Sequence, residues 1–362
     1  MRRPSLDTVR FGLAGALLVL ALAGVRADAQ AVIRVNDDVS FKFGLLLQGQ
    51  AEWQESSVAD DTAQNLFLRR ARILVGGSIA KNVTFFFETD SPNYGKAAAG
   101  TKTGSGMIVQ DAFLTWRIAD EFHVDGGMIL TGIAHNSLQS AASLISVDYG
   151  SYSFLYSGPT QNVVGRDSGF QVRGYPLGKK LEYRVGVWAG QRNASGNQAF
   201  RTTARLQYNF LDADTGFFYT GTSLGKKKIF AIGAGCDAQK DYKSYAADAY
   251  VDLPVGTGGA VSGQIDWIRY DGGTTFTALP KQDTFFLEGG YYIKSARVMP
   301  FFTYSTKDLA GTDAGDESRW SVGLGYMAFG HNVNVKAAYG KIDPRNRSSA
   351  DQFTIQLQGF YF

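Results

Sequence analysis

The chain of 362 residues carries a formal charge of +3, a single cysteine, 43 glycines and only 8 prolines. One cysteine rules out an internal disulfide, and scarce proline without a glycine repeat rules out a collagen-like or low-complexity chain. So balanced a charge also argues against nucleic acid as a partner.

Arg2, Arg3 and Arg10 precede an apolar run from Leu13 to Val25, and Ala27-Asp28-Ala29 has the spacing of a cleavage site. This is the order of a secretory signal peptide, and the run is short for a membrane helix, which needs about 20 apolar residues. The expected domains are therefore a signal peptide over 1–29 and one barrel domain over 30–362. Cleavage removes four arginines and two aspartates, which leaves the mature chain at +1.

Beyond the signal no apolar run approaches the length of a membrane helix. Alternation of apolar and polar residues recurs instead in segments of about ten residues, the signature of a transmembrane barrel. Sixteen are predicted: 39–53, 66–79, 82–90, 107–118, 121–131, 166–176, 181–192, 200–211, 228–238, 244–253, 260–271, 282–294, 297–306, 318–329, 331–341 and 352–362. In 200–211, Ala204, Leu206, Tyr208 and Phe210 alternate with Thr203, Arg205, Gln207 and Asn209. Successive side chains of a strand face opposite ways, so each segment has an apolar and a polar face.

Connections alternate between short turns (Ala80-Lys81, Ala119-Asp120, Pro176 to Lys180, Lys294 to Ala296, the Gly330 turn) and long loops rich in Gly, Ser, Asp and Asn. The longest is 132–165. One connection on the short side breaks the order: 212–227 is long, and Phe217 to Thr222 within it could be strand. The chain ends on Phe360-Tyr361-Phe362, as bacterial outer-membrane barrels often do. Phe360 and Phe362 share the parity of the glutamines Gln352, Gln356 and Gln358, which suggests a kink or a place at the membrane rim. Trp116 and Trp320 face outward near strand ends, where an aromatic girdle lies. A soluble β-sandwich would show similar alternation, but not the signal peptide or the aromatic terminus.

Parity places Arg70, Arg72, Arg117, Arg173, Arg184, Arg205 and Lys336 on the inner face. It places Glu88, Asp111, Asp125, Asp167, Glu182, Asp248, Asp266 and Glu288 there too. Arg70, Arg72, Glu88, Asp111, Arg117, Arg173, Arg184, Arg205 and Lys336 are the candidate pore-lining residues. Arg70 and Arg72 are expected to draw anions, with nearby carboxylates such as Glu88 offsetting them. The segment 132–165 contains no Lys or Arg, only His135 and Asp148.

His135-Asn136-Ser137 raises a hydrolase reading, yet neighbours in a loop rarely supply a base and an orienting group in line. The three histidines, His123, His135 and His331, lie far apart, so no transition-metal site and no cofactor is expected. Acidic Asp60-Asp61, and Asp313 to Glu317 with Gly315, have the chemistry to bind a divalent cation in the outer loops, but read first as solvated loops. Cys236, between Ala234 and Ala238, reads as a small outward residue.

The order of several short motifs resembles the phosphate-selective porins O and P family. They are Asn65-Leu66-Phe67-Leu68-Arg69-Arg70-Ala71-Arg72-Ile73 with Gly76-Gly77, Phe86-Phe87-Glu88-Thr89-Asp90, Asp111-Ala112-Phe113-Leu114-Thr115 and Arg166-Asp167-Ser168-Gly169-Phe170. Leu224-Gly225-Lys226-Lys227-Lys228 leading into Ile232-Gly233-Ala234-Gly235 adds to the likeness, which spans nearly the whole mature chain. The resemblance implies a sixteen-stranded homotrimeric outer-membrane channel whose third long loop, here 132–165, folds inward as a constriction. The family's best-known members carry an arginine ladder and a lysine cluster in the pore. Here arginines and carboxylates alternate, and no dominant positive funnel is visible.

The expectation is thus an all-β transmembrane antiparallel barrel of about 16 strands with an inward-folded constriction loop. The expected function is that of a water-filled porin of the cell outer membrane, passing small hydrophilic solutes or anions such as phosphate, in contact with outer-membrane lipid. No enzymatic activity is expected. The alternatives are a barrel hydrolase or a structural barrel with a blocked lumen.

Overall fold

Alternation along each strand dictates a sheet with one wet and one apolar face, and such a sheet removes its edges by closing on itself. In the computed structural model sixteen strands do this. They are β1 (Ser40–Glu55), β2 (Thr62–Ala80), β3 (Val83–Asp90), β4 (Ile108–Ala119), β5 (Phe122–Leu130), β6 (Arg166–Gly174), β7 (Leu181–Trp188), β8 (Arg201–Asn209), β9 (Ile229–Gln239), β10 (Tyr242–Val255), β11 (Gly259–Asp271), β12 (Gln282–Ile293), β13 (Val298–Leu309), β14 (Glu317–Tyr326), β15 (Val333–Pro344) and β16 (Ala350–Tyr361). Each pairs antiparallel with its sequence neighbours, and β16 closes the ring on β1 from Gln352↔Gln54 to Tyr361↔Leu45. The structure describes residues 31–56, 61–98, 100–104, 106–161 and 164–362; the expected signal peptide, its cleavage site and Asp60 lie outside them. Outside the ring, Ala31–Arg34 is a short strand, and Ala97–Ala98 with Thr101–Lys102 makes a small hairpin in the second long loop.

All sixteen predicted segments coincide with barrel strands. On β8 the buried set is Arg201, Thr203, Arg205, Gln207 and Asn209, and Leu206 and Tyr208 stand exposed between them. Leu45, Leu47, Ile73, Leu114, Ile232, Ile265, Val322, Leu324 and Leu357 continue this outer apolar face around the ring. Trp116 belongs to that face, and Trp320 packs edge-on against Tyr339 at 5.9 Å. Cys236 is exposed on it too. Among the described residues no helix is long and apolar enough to cross a membrane.

Three details depart from the sequence expectation. Phe360 and Phe362 pack inward against apolar neighbours. Phe360 stays in register with Leu46, and both rings join Leu46, Leu74, Phe86, Ala141 and Ala142 in an interior cluster. Apolar packing therefore outweighs the polar parity at this end of the barrel. The long-loop side contains one tight turn, Lys240-Asp241, made possible by a left-handed Lys240 at φ 54°. The irregular connection after β8 holds no strand; it runs back against the interior face, as described next.

Candidate functional site

The buried face is where side-chain chemistry concentrates. Seven buried arginines from β2, β6, β7 and β8 line one side of it, and each meets a carboxylate. Arg70 reaches Asp148 at 2.7 Å, and Arg72 reaches Glu88 at 2.8 Å and Asp90 at 2.9 Å. Arg166 pairs with Asp111 at 2.9 Å, Arg173 with Asp125 at 2.8 Å and Arg184 with Glu182 at 2.7 Å. Arg201 pairs with Asp237 at 2.6 Å, and Arg205 with Asp248 at 2.5 Å. Taking a guanidinium out of water costs several kcal/mol unless a carboxylate and further hydrogen bonds meet it. Glu182 comes from the same strand as Arg184, Asp148 from the long connection and the other carboxylates from nearby strands, so the belt is close to neutral rather than a positive ladder.

Of the nine candidate wall residues, eight are buried on this face: Arg70, Arg72, Glu88, Asp111, Arg173, Arg184, Arg205 and Lys336. Arg117 is the exception. It has the inner parity but stands near the C-terminal end of β4, its side chain 56% exposed and paired with Asp120 of the following short turn. Arg166 and Arg201 are members of the belt that were not singled out from sequence. Each opens a strand next to a long loop, where a boundary residue's parity is hard to read. Lys336 meets no carboxylate; its Nζ donates to the carbonyls of Leu144 and of Ser146, the latter at 2.8 Å.

Those carbonyls belong to the long connection after β5. Its residues hydrogen-bond the buried face of strands far apart in the ring. Gln48 of β1 and Gln358 of β16 donate to the carbonyls of Ala141 (3.1 Å) and Ala142 (2.9 Å), and Gln356 donates to Val147 at 2.9 Å. Asn136 N–H donates to Asp266 of β11 at 3.0 Å, and Ser146 Oγ to Glu288 of β12 at 3.1 Å. Asp148 accepts from both Arg69 and Arg70. Burial pushes the Asp148 carboxyl up, but the two guanidiniums outweigh it and hold the group well below the ordinary carboxylate range.

The connection after β8 comes from the opposite end and meets the first. Tyr219 N–H donates to Leu138 O at 2.9 Å, Ser140 N–H to Tyr219 O at 2.8 Å, and Thr222 N–H to Ser143 O at 2.9 Å. Gln139 and Tyr219 form an isolated parallel bridge. The His135 ring is stacked between Tyr250 of β10 (4.0 Å) and Tyr219 (5.0 Å), while Nδ1 lies 2.9 Å from Gln264 Oε1. Burial lowers this imidazole to about 4. His331, in the turn after β14, lies 2.8 Å from Thr222 O through Nε2, and burial lowers it to about 4 as well. Phe217 and Phe218 extend the aromatic cluster of Phe86, Phe113 and Phe362.

The residues of His135-Asn136-Ser137 engage separate partners. Ser137 Oγ donates to Ala134 O at 2.9 Å within its own turn, and the His135 ring is held by Gln264. Among the described residues no group of three or more His, Cys, Asp or Glu side chains could hold a metal ion. In the acidic loop, Asp313 and Asp316 face Arg345.

On the remaining side of the ring, β13–β16 and β1 contribute mostly amides and hydroxyls. Above the long connection they enclose a cavity of about 370 Å³, lined among others by Gln50, Glu52, Arg69, Asp148, Tyr149, Ser305, Gln352 and Thr354.

No protein-family model and no curated protein sequence matches the chain. Solved structures do. OmpF of Salmonella typhi, determined with daunomycin, superposes with a TM-score of 0.63 at 14% identity over 91% of this chain and 100% of its own. The anion-selective porin of Comamonas acidovorans gives 0.59 at 11% identity, covering 89% and 100% of the two chains. The outer membrane channel DcaP of Acinetobacter baumannii gives 0.57 at 11% identity over 91% and 99%. The fold is that of a porin-type sixteen-stranded barrel.

Proposed function

We propose that the chain is an outer-membrane porin, exported through a cleaved signal peptide over 1–29, that passes small hydrophilic solutes without chemistry. One observation carries this: a closed sixteen-stranded ring whose exposed face is aliphatic and aromatic while its buried face is polar and charged. That polarity suits a wall between lipid outside and water inside. Sixteen strands are wide enough to leave an aqueous channel when the interior is not filled. The segments 131–165 and 210–228 act as the constriction, one from each end, and the aromatic cluster around Phe86 and Phe362 narrows the short-turn end. Short turns and both termini face the periplasm. The trimeric assembly that the family resemblance implies belongs to this proposal.

The paired arginine belt supports weak charge selectivity rather than strong preference for phosphate. Pore radius and residual wall charge then set what passes. Planar-bilayer recording of the refolded mature protein tests the function. Discrete ohmic steps are expected, with a reversal potential near zero in a salt gradient. The mutual pairing of the two inner segments favours one second reading, a barrel closed at rest. Its mark is a silent bilayer in which a variant shortened at 210–228 conducts.

A further inference from the structure

The cavity of about 370 Å³ on the β13–β1 side lies at the low end of the roughly 300–1,000 Å³ typical of small-molecule sites. Its charges are already committed. Arg69 donates to Asp148 at 2.6 Å, Glu52 accepts from Lys96 at 2.7 Å, and Arg319 meets Glu317 at 2.5 Å. Lys341 also borders the cavity, but from an outward-parity position in register with Trp320, so its stem rather than an inward-aimed charge is presented there. An entering anion would have to displace Asp148 from Arg69 while lying near Glu52. An entering cation would have to displace Lys96 or Arg69. Either exchange leaves a partly buried charge without its partner, and that is strongly unfavourable.

The rest of the lining is neutral and rich in hydrogen-bonding groups. Gln50, Gln352, Thr354 and Ser305 project from the inner faces of β1, β16 and β13, and Gln352 Nε2 is already oriented by Glu52 at 3.1 Å. Opposite them stand the rings of Tyr149 and Phe154, packed edge to face at 5.1 Å. Amides and hydroxyls held on strands exchange hydrogen bonds with a ligand's hydroxyls at little net cost. An aromatic face covers the C–H side of such a ligand.

We propose that this cavity binds an uncharged polyhydroxylated solute, of the size of a mono- or disaccharide, on the long-loop side of the constriction. The inference deepens the channel function by naming its solute class, and rests on that function only for access from the aqueous phase.

Calorimetric titration of the refolded mature barrel in lauryldimethylamine oxide, a detergent without sugar, tests it with maltose and with inorganic phosphate as probes. Saturable maltose binding and no phosphate binding are expected. The double variant Gln352→Leu with Thr354→Val should weaken maltose on the order of tenfold, the loss of two neutral hydrogen bonds. If that variant does not fold, Gln50→Leu carries the same expectation at about threefold. Absence of maltose heat in a barrel of native electrophoretic mobility overturns the proposal, as does phosphate binding that Arg69→Ala abolishes. Binding is read without passage through the pore. A barrel that binds but never conducts therefore counts against the channel alone, and one that conducts but never binds counts against the site alone.

Discussion

Arg70 of β2 and Asp148 of the long connection are joined at 2.7 Å although 78 residues separate them, and Arg69 reaches the same carboxylate. Adjacent residues of a regular strand point to opposite faces, so both should not meet one partner. A β-bulge resolves this. Gln48 pairs with Arg70 and the next residue, Gly49, with Leu68, so Arg69 is the extra residue. The bulge turns it toward the side that Arg70 already faces.

The double variant Arg70→Ala with Arg72→Ala should therefore lose stability before it loses selectivity. It leaves Glu88 and Asp90 buried without Arg72, and a broken buried pair costs about 3–5 kcal/mol. Resistance to heat in detergent should fall clearly while the reversal potential moves little. Unchanged heat resistance with a shifted reversal potential would identify the two arginines as conduction charges instead.

Removing 140–146 should enlarge single-channel conductance. Those residues hold the interior through the carbonyls of Ala141, Ala142 and Leu144, which take hydrogen bonds from Gln48, Gln358 and Lys336. The three donors would then face water, which satisfies them, so the barrel itself should persist. Equal conductance before and after the deletion would mean that this segment does not limit the path.

Replacing 214–222 by a short Gly-Ser turn should also raise conductance, with 131–165 left intact. Tyr219 is fully buried and supplies both the backbone bridge to Gln139 and one face of the His135 stack. Combined with the deletion of 140–146, the gain should depart from additivity because the two segments share contacts. Additive gains would indicate two independent constrictions.

Acid should loosen the same junction between pH 6.5 and about 4. Burial depresses both His135 and His331 to about 4 in the folded chain, from an ordinary value of 6.5. The unfolded chain thus binds these protons first, and stability falls as pH drops through that window. The loss is about 1.4 kcal/mol per pH unit for each histidine. Asp248, Arg205 and Asp214 act on His135, and Lys336 and Lys226 on His331. Asp148 titrates below this window, so it contributes separately. Melting temperature followed from pH 7 to 4 should fall, and His135→Gln with His331→Gln should flatten the curve. An equally steep curve in the double variant would assign the effect to other groups.

Strand number, the polarity of the two faces and the parity that buries side chains such as Arg72 and Arg205 were legible in the sequence, because a strand's alternation is a local property with a period of two. Local pattern does not reveal which carboxylate each arginine meets. Arg205 finds Asp248 two strands away, through the register of β8, β9 and β10. Nor does it reveal the path of a long connection. The irregular stretch 212–227 stood out as a break in the order of turns, but its course was set by partners distant in sequence: Leu138, Ser143, Tyr250 and His331. Phe360 and Phe362 show the same division. Their parity was readable, and only the tertiary structure placed Leu46 and Phe86 of the ring and Ala142 of the long connection beside them as an apolar surface to bury against.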